Sequence, residues 1–184
     1  MTASHAVGRC ARETHGTTGG RTLASMLPTE RVSAALAALG IESQIVEFEA
    51  STGTAAAAAE AVGCELGQIV KSLFFVADGR PTLALVSGDR QADTKRIAAL
   101  VGVGRKQLQM GTPEQVLEHT GYAVGGVSPV GSLTPCDVLA DESLRRFDYV
   151  WAAAGAGNAV FKAATTELVA KVHGQWAAIT RDAE

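Results

Sequence analysis

The most informative segment of this chain, residues 121–131, is Gly-Tyr-Ala-Val-Gly-Gly-Val-Ser-Pro-Val-Gly. Gly125 and Gly126 carry no Cβ, so a ligand can approach their main chain closely, or φ can be positive there. The Ser128-Pro129 step favours an extended exit, because a residue that precedes proline avoids the α region. The segment therefore indicates either a main-chain surface shaped to bind a ligand or a glycine-rich hairpin at a sheet edge.

Composition limits the class of protein. The chain has 184 residues, of which 47% are hydrophobic, and this is enough for one domain with a proper core. No apolar run approaches the length that crosses a membrane, so we expect a soluble protein without a membrane partner. The formal charge of −3 argues against a general nucleic-acid coat but leaves room for a local basic patch. The scattered cysteines Cys10, Cys64 and Cys136 lack metal-ligand spacing, which predicts a reducing cytosolic setting and no bound metal.

The first 27 residues differ from the remainder. They contain Arg9, Arg12 and Arg21 but no apolar periodicity. We therefore predict a disordered tail over residues 1–27 and one folded domain over residues 28–184. The tail has no apolar core of the kind found in secretory signals.

The folded part alternates helix and strand signals. Helices are predicted over residues 28–39, 54–62, 93–101, 112–119 and 165–172. Strands are predicted over residues 43–49, 69–77, 81–87, 105–110, 138–140, 149–153, 159–162 and 175–180. Asp78-Gly79 between two strands indicates a hairpin and hence antiparallel pairing. The predicted fold class is α/β of the α+β type, with a mixed, barrel-like β-sheet and surrounding helices.

Lys71 is the second informative residue. A period of two along residues 69–76 places it on the same strand face as the apolar Leu73 and Phe75. Both faces of this strand are apolar, so we expect a central strand, where burial lowers the pKa of an unpaired ammonium. Either the lysine stem packs while its head reaches water, or the cation is held in a pocket to meet a negative or polarised group.

Taken together, these features resemble the YbaK/ProX family of aminoacyl-tRNA editing domains. The specific match is Gly-Gly-Val-Ser-Pro-Val-Gly at residues 125–131. Weaker matches are Val-Lys-Ser-Leu at residues 70–73, which follows a Thr-x-x-x-Ala-Ala helix, and Ala-Ala-Gly-Ala-Gly-Asn at residues 153–158. The resemblance covers the chain from about Thr29 to Arg181. It implies a barrel-like mixed sheet and hydrolysis of the ester that joins a wrong amino acid to the 3′ end of a tRNA.

The resemblance also implies roles for individual residues. The invariant lysine of the family corresponds to Lys71, the hydroxyl after it to Ser72, and an aromatic wall to Phe48. The late glycine turn includes Gly155. The substrate-binding loop corresponds to five consecutive residues: Gly125, Gly126, Val127, Ser128 and Pro129.

Physical chemistry agrees with these roles. Main-chain N–H groups of such a loop can stabilise the oxyanion that forms when water attacks an ester, although Pro129 has none to offer. Lys71 can hold the terminal phosphate or ribose. The expected nucleophile is water or, as the resemblance implies for part of the family, the substrate's own side chain, and no cofactor is expected. His119 and His173 stand at predicted helix ends, where a histidine more often complements the helix dipole than acts as a base.

The late turn departs from family members that act on cysteinyl-tRNA. Those members resemble Ser-Gly-Gly-Lys-Arg-Gly followed shortly by an aspartate. Here the turn is Ala-Ala-Gly-Ala-Gly-Asn at residues 153–158, and Val160 takes the aspartate position. The loss of polar groups and of two positive charges argues against cysteinyl specificity and favours either a small apolar amino acid or a further subgroup of the family.

The expected partners follow from the same resemblance. The sequence shows no synthetase domains, so the resemblance implies a cytoplasmic trans-editing factor that binds the acceptor end of a mischarged tRNA. A prolyl-tRNA synthetase is a candidate partner. A catalytically silent module that binds an aminoacyl end, a nucleotide end or a synthetase would use the same loop. A small-molecule hydrolase would instead cleave simple aminoacyl esters. For tRNA, the candidate basic strip is Arg90, Lys95, Arg96, Arg105 and Lys106.

Overall fold

The computed structural model describes residues 22–49 and 53–182. Its α-helices are α1 Pro28–Leu39, α2 Ala55–Val62, α3 Thr94–Leu100, α4 Pro113–Thr120 and α5 Thr165–Lys171. Its strands are β1 Ile45–Glu47, β2 Ile69–Ala77, β3 Arg80–Ser87, β4 Arg90–Ala92, β5 Leu108–Met110, β6 Asp137–Asp141, β7 Tyr149–Ala153, β8 Ala159–Ala164, β9 Gln175–Ala177 and β10 Thr180–Asp182. Most of the predicted tail, residues 1–21, lies outside the described residues, and a short 3₁₀ turn occupies Leu23–Ser25.

Local sequence signals account for the helix ends. Thr54 caps α2 by accepting a hydrogen bond from the main-chain N–H of Ala57 at 3.1 Å. Thr112 caps α4 in the same way, and Pro113 follows at the first helical position, where proline is favoured. Gly63 ends α2 in the left-handed conformation with φ of 69°. The predicted helices therefore begin and end within about two residues of the observed ones.

The larger sheet is mixed, as predicted. Its strand order is β1-β8-β7-β2-β3-β6-β9, and β5 also pairs with β2. Strands β2 and β3 are antiparallel, and their turn, Asp78-Gly79, has φ of 50° and 78°, as a type I′ hairpin requires. Strand β2 pairs in parallel with β7, and β3 pairs in parallel with β6. Strand β2 thus lies in the middle of the sheet.

One edge of β2 is interrupted. Along its other edge, β3 pairs with every residue from Val70 to Ala77. On the interrupted edge, β7 pairs only with Ile69 and Val70, and β5 pairs only with residues 75–77. No other described strand fills the space between β7 and β5. This opening in the sheet is where the candidate site lies.

The two faces of the sheet support two apolar cores. Val70 and Phe74 of β2 belong to one core, together with α1 and Phe161. Phe75 and Ala77 belong to the other, together with Ile97 of α3. Because successive strand residues point to opposite faces, β2 is apolar on both sides, as its sequence predicts.

The C-terminal part differs from the prediction. The single strand predicted over residues 175–180 is two strands, β9 and β10, and β10 pairs with β4, which the sequence pattern did not predict. At the break, the buried Asp141 accepts hydrogen bonds from the main-chain N–H of Ile179 at 3.1 Å and from the hydroxyl of Thr180 at 2.9 Å. Strand β4 has the sequence Arg-Gln-Ala, which has no β-branched or aromatic residue, so its extended shape depends on this pairing.

Within residues 22–49 and 53–182, no helix is both long enough and apolar enough to cross a bilayer.

Candidate active site

A cavity of about 420 Å³ opens at the interrupted edge of β2. Its walls are the start of α2, residues 69–74, the glycine-rich loop and the turn between β7 and β8. Most of the lining side chains are small and apolar. Among the lining residues that the structure describes, the side chains with polar atoms are those of Thr54, Lys71, Ser72 and Trp151, and Lys71 alone is charged. The cavity therefore suits a small, uncharged group.

Lys71 lines this cavity, as its sequence position suggested. Its ammonium donates hydrogen bonds to the main-chain oxygens of Gly88, at 3.2 Å, and of Arg90. Burial lowers the pKa of Lys71 below its usual value, and the nearby Asp89 carboxylate opposes part of this effect. The cation is thus held at the cavity by carbonyl oxygens. Two of its three N–H donors are engaged, which leaves one for a ligand.

The turn that holds Lys71 is itself fixed. The guanidinium of Arg146 contacts both carboxylate oxygens of Asp89, at 2.8 and 3.0 Å, and the hydroxyl of Ser87 lies 2.7 Å from the same carboxylate. The hydrogen bond from Arg146 is the main reason why the pKa of Asp89 lies below its usual value. Asp89 therefore stays ionised and keeps the electrostatic environment of Lys71 favourable to the ammonium form. Nothing in the sequence alone links residues 71, 89 and 146.

The main chain of the glycine-rich loop lies directly against the main chain of the turn between β7 and β8. A Cβ on Gly126 would lie 2.8 Å from both the Cα and the N of Ala156, which is closer than real Cβ contacts. Gly125 has φ of 91°, and a Cβ there would meet nothing within 4 Å. The paired glycines thus serve different needs: one allows a close approach and the other allows an unusual φ.

The loop offers fewer candidate oxyanion donors than the sequence suggested. The N–H of Gly126 donates to the carbonyl of Ala123 at 3.0 Å, so it is already used. Gly125 and Val127 line the cavity, and their N–H groups remain the candidate donors. Ser72 also lines it, and its hydroxyl is buried without a hydrogen-bond partner among the described residues.

The other predicted site residues support the walls instead of lining them. Ser128 is fully buried and its hydroxyl accepts from the N–H of Val130 at 3.3 Å, while Pro129 is buried beside it. Gly155 packs so closely on Pro28 that a Cβ would lie 2.7 Å from its carbonyl group. Two hydrogen bonds join Phe48 to Asn158. The main-chain N–H of Phe48 donates to the carbonyl of Asn158 at 2.8 Å, and the side-chain amide of Asn158 donates to the carbonyl of Phe48 at 2.9 Å. The structure does not bring these four residues to the cavity.

Arg31 and Tyr122 form a buried clasp beneath the loop, and the sequence pattern did not single them out. Arg31 is 3% exposed, and its guanidinium lies 4.4 Å from the centre of the Tyr122 ring. The Tyr122 hydroxyl donates to the carbonyls at residues 130 and 131, at 2.8 and 2.9 Å. Burial raises the pKa of Tyr122, which keeps this donor protonated. Arg31 donates to three main-chain oxygens near the two ends of the loop, those of Thr120, Gly121 and Gly131.

The remaining candidates lie elsewhere. His119 stacks on Phe74 with ring centres 5.6 Å apart, and its Nδ1 lies 3.3 Å from the hydroxyl of Thr134. Neither His119 nor His173 lines the cavity. Cys136 is buried. In the described part of the chain, no three His, Cys, Asp or Glu side chains are grouped so that they could hold a metal ion.

The candidate basic strip has at least one structural role. Arg96 donates to the carbonyl of Thr180 at 2.9 Å and lies 3.5 Å from the carboxylate of Asp93, so it fastens α3 to the smaller sheet. Lys95, Arg105 and Lys106 are exposed. No residue of the strip lines the cavity.

Comparison with known proteins identifies the family. The model for the aminoacyl-tRNA editing domain matches residues 49–171, which include every wall of the cavity. The chain belongs to this family.

Relatives of this editing domain occur alone and within larger proteins. YwhH of Bacillus subtilis strain 168 is 37% identical over 128 residues, which are 69% of this chain and 80% of YwhH. The proline–tRNA ligase of Nitratidesulfovibrio vulgaris strain Hildenborough is 42% identical over 84 residues, and this match spans 46% of the chain but only 14% of the ligase. A crystal structure of a protein proposed to be a trans-editing enzyme for prolyl tRNA synthetase is 44% identical with a TM-score of 0.79, and the match covers 84% of this chain and 97% of that one.

Proposed function

We propose that this protein is a free-standing trans-editing deacylase that hydrolyses the ester of a mischarged aminoacyl-tRNA in the cytoplasm. The observation that carries the proposal is the cavity that Gly125, Val127 and Lys71 line together, in which Lys71 is the one charged residue among the described lining residues. A solved relative of almost the same extent, proposed to edit in trans for prolyl tRNA synthetase, supports a free-standing role.

The proposed chemistry is attack of water on the ester carbonyl. The carbonyl oxygen gains negative charge, and we assign its stabilisation to the N–H groups of Gly125 and Val127. The bond between the carbonyl carbon and the ribose oxygen then breaks, and that oxygen takes up a proton. Lys71 donates its remaining N–H to the ribose or terminal phosphate and so holds the ester in place.

No imidazole or carboxylate is found among the described lining residues that could act as a general base. We therefore assign the proton of the attacking water to a group that the substrate brings. This group is either the free amino group, which then protonates the departing ribose oxygen, or the neighbouring ribose hydroxyl, which passes its own proton to that oxygen as it accepts one. In this scheme the protein contributes position and charge stabilisation, and proton transfer does not depend on one of its side chains.

The proposed substrate is a tRNA for proline that carries a wrong, small amino acid. The described lining residues are mainly alanine, glycine and valine, so a small apolar side chain fits, whereas a cationic one would lose its hydration and lie near the Lys71 ammonium. The match to part of a proline–tRNA ligase supports prolyl-tRNA as the tRNA.

A catalytically silent binding module is the second candidate, and two observations favour it. The ammonium of Lys71 is engaged by two carbonyl oxygens, and the described lining residues include no side-chain base. Such a module would bind the aminoacylated end of tRNA without releasing the amino acid.

A deacylation panel separates these functions. The full chain is mixed with tRNA for proline charged with alanine, serine, cysteine or proline, and release of the amino acid is followed in single turnover. We expect release of a small wrong amino acid, loss of release in Lys71→Ala, and retained release in Lys162→Ala, which removes an exposed lysine outside the cavity. Binding of the charged tRNA without release of any of the four amino acids would instead identify the silent module.

A further inference from the structure

Two large apolar side chains stand exposed at the edge of the cavity. Met110 is 62% exposed and Val124 is 65% exposed, and both line the cavity. They come from different elements, the end of β5 and the glycine-rich loop. Exposed apolar side chains that are scattered singly over a surface are common and need no explanation. Exposed apolar side chains that lie together beside a cavity more often mark a ligand-binding surface.

Both side chains are held by well-anchored backbone. Met110 pairs with Phe75 in the ladder between β5 and β2, and the N–H of Gly111 donates to the carbonyl of Phe74 at 3.0 Å. Val124 lies in the loop that the clasp of Arg31 and Tyr122 holds at both ends. The two apolar side chains are therefore presented in a defined arrangement.

The proposed function fixes what must lie next to this edge. If the aminoacyl group enters the cavity, its ester oxygen belongs to the terminal ribose of the tRNA. The base is attached to the same five-membered ring, so it must emerge within a few ångströms of the cavity opening. The terminal nucleotide of a tRNA is an unpaired adenosine, and both faces of its purine are free for apolar contact.

We infer that Met110 and Val124 form the contact surface for the terminal adenine of the substrate, an inference that rests on the proposed deacylase function. Each side chain packs on the purine and thereby holds the substrate at the cavity equally in the ground state and in the transition state. Both are substrate-binding residues, and neither touches the reacting atoms.

Size and charge favour a nucleoside over an apolar protein partner. Two side chains cover far less than the roughly 800 Å² per partner that a stable protein interface buries. The described lining residues include no acidic side chain and do include Lys71, so a phosphate-bearing ligand meets no like charge from them. A single terminal nucleotide fits both observations, because its base needs only a small contact area and its phosphate carries negative charge.

The test compares Met110→Ser, Val124→Ser and their double variant with Leu117→Ser, which removes an apolar side chain that is 55% exposed on α4 but does not line the cavity. Substrates are the mischarged tRNA and the 3′ aminoacyl ester of adenosine alone. For the double variant we expect KM to rise about 10-fold on both substrates with kcat within about 2-fold, because the two variants together remove the apolar area that is buried against the base. Leu117→Ser should match the wild type. An unchanged KM in the double variant, or an equal rise in Leu117→Ser, overturns the inference.

A binding measurement keeps the inference testable even if the proposed function fails. The ligands are two uncleavable amides, one of the amino acid with 3′-amino-3′-deoxyadenosine and one of the same amino acid with methylamine. We expect the double variant to weaken binding of the nucleoside amide about 10-fold and to leave the methylamide unaffected. Equal weakening of both ligands, or no binding of the nucleoside amide to the wild type at millimolar concentration, refutes the adenine contact. Binding of the nucleoside amide through this edge by a protein that releases no amino acid refutes only the deacylase function.

Discussion

Replacement of Gly126 by alanine gives the sharpest test of the site. The added Cβ would lie 2.8 Å from the Cα and N of Ala156, and 2.9 Å from its carbonyl carbon. Carbon atoms in favourable contact are about 3.5–4.0 Å apart. Both partners are main chain, so no side-chain rotation can relieve the overlap, and the loop must move away from the turn by about 1 Å.

The expected effect follows from that displacement. The candidate donors Gly125 and Val127 flank Gly126, so they move with it. A misplacement of about 1 Å between a substrate and its catalytic groups reduces the rate about 100-fold. Overpacking costs about 1–3 kcal/mol of folding free energy, which lowers Tm by roughly 2–12 °C in a domain of this size. We therefore expect kcat for release of the amino acid to fall about 100-fold while the protein remains folded at 25 °C.

The control is Gly79→Ala in the β2–β3 turn. Gly79 has φ of 78°, and its Cβ would meet nothing within 4 Å, so the substitution adds strain of about 1–2 kcal/mol without a clash. Single-turnover release and thermal unfolding are measured for both variants. A loss of Tm in Gly126→Ala with wild-type kcat would show that the contact between loop and turn is structural and that the loop does not position the ester. A normal Tm would contradict the close contact itself.

Three further predictions use other parts of the site. Because burial lowers the pKa of Lys71, the deacylation rate should fall as pH rises through a value below the usual pKa of lysine. Asp89→Asn removes the charge that raises this pKa, so it should move the fall to lower pH. The pH profiles are corrected for spontaneous ester hydrolysis. Arg31→Met should lower the free energy of unfolding in urea by about 3–5 kcal/mol, since it leaves three carbonyl oxygens without their donor at about 1–3 kcal/mol each, whereas the exposed Arg105→Met should change it by less than about 0.5 kcal/mol. A chelator should leave deacylation unchanged, because the described residues offer no grouped metal ligands; loss of activity with rescue by zinc would contradict the proposed mechanism.

Features that depend on neighbours along the chain could be predicted from the sequence. The start of α4 follows from Thr112-Pro113, the hairpin turn from Asp78-Gly79, and the central position of β2 from its two apolar faces. Each is governed by interactions within a few residues, or by the side-chain alternation of a single strand. The presence of Lys71, Ser72 and the glycine-rich loop in one site came from the resemblance of these segments to a family.

The tertiary structure decided how these parts work together. Arg31 of α1 donates a hydrogen bond to the carbonyl of Gly131, which lies 100 residues further along the chain. Lys71 bonds to the carbonyl of Gly88 in a turn where the carboxylate of Asp89 pairs with Arg146. The cavity exists because β7 and β5 each leave part of one edge of β2 unpaired. No local pattern specifies such contacts, because they depend on which distant segments the sheet brings together. For the same reason, Ser128 and Phe48 resemble site residues in sequence but support the walls in the structure.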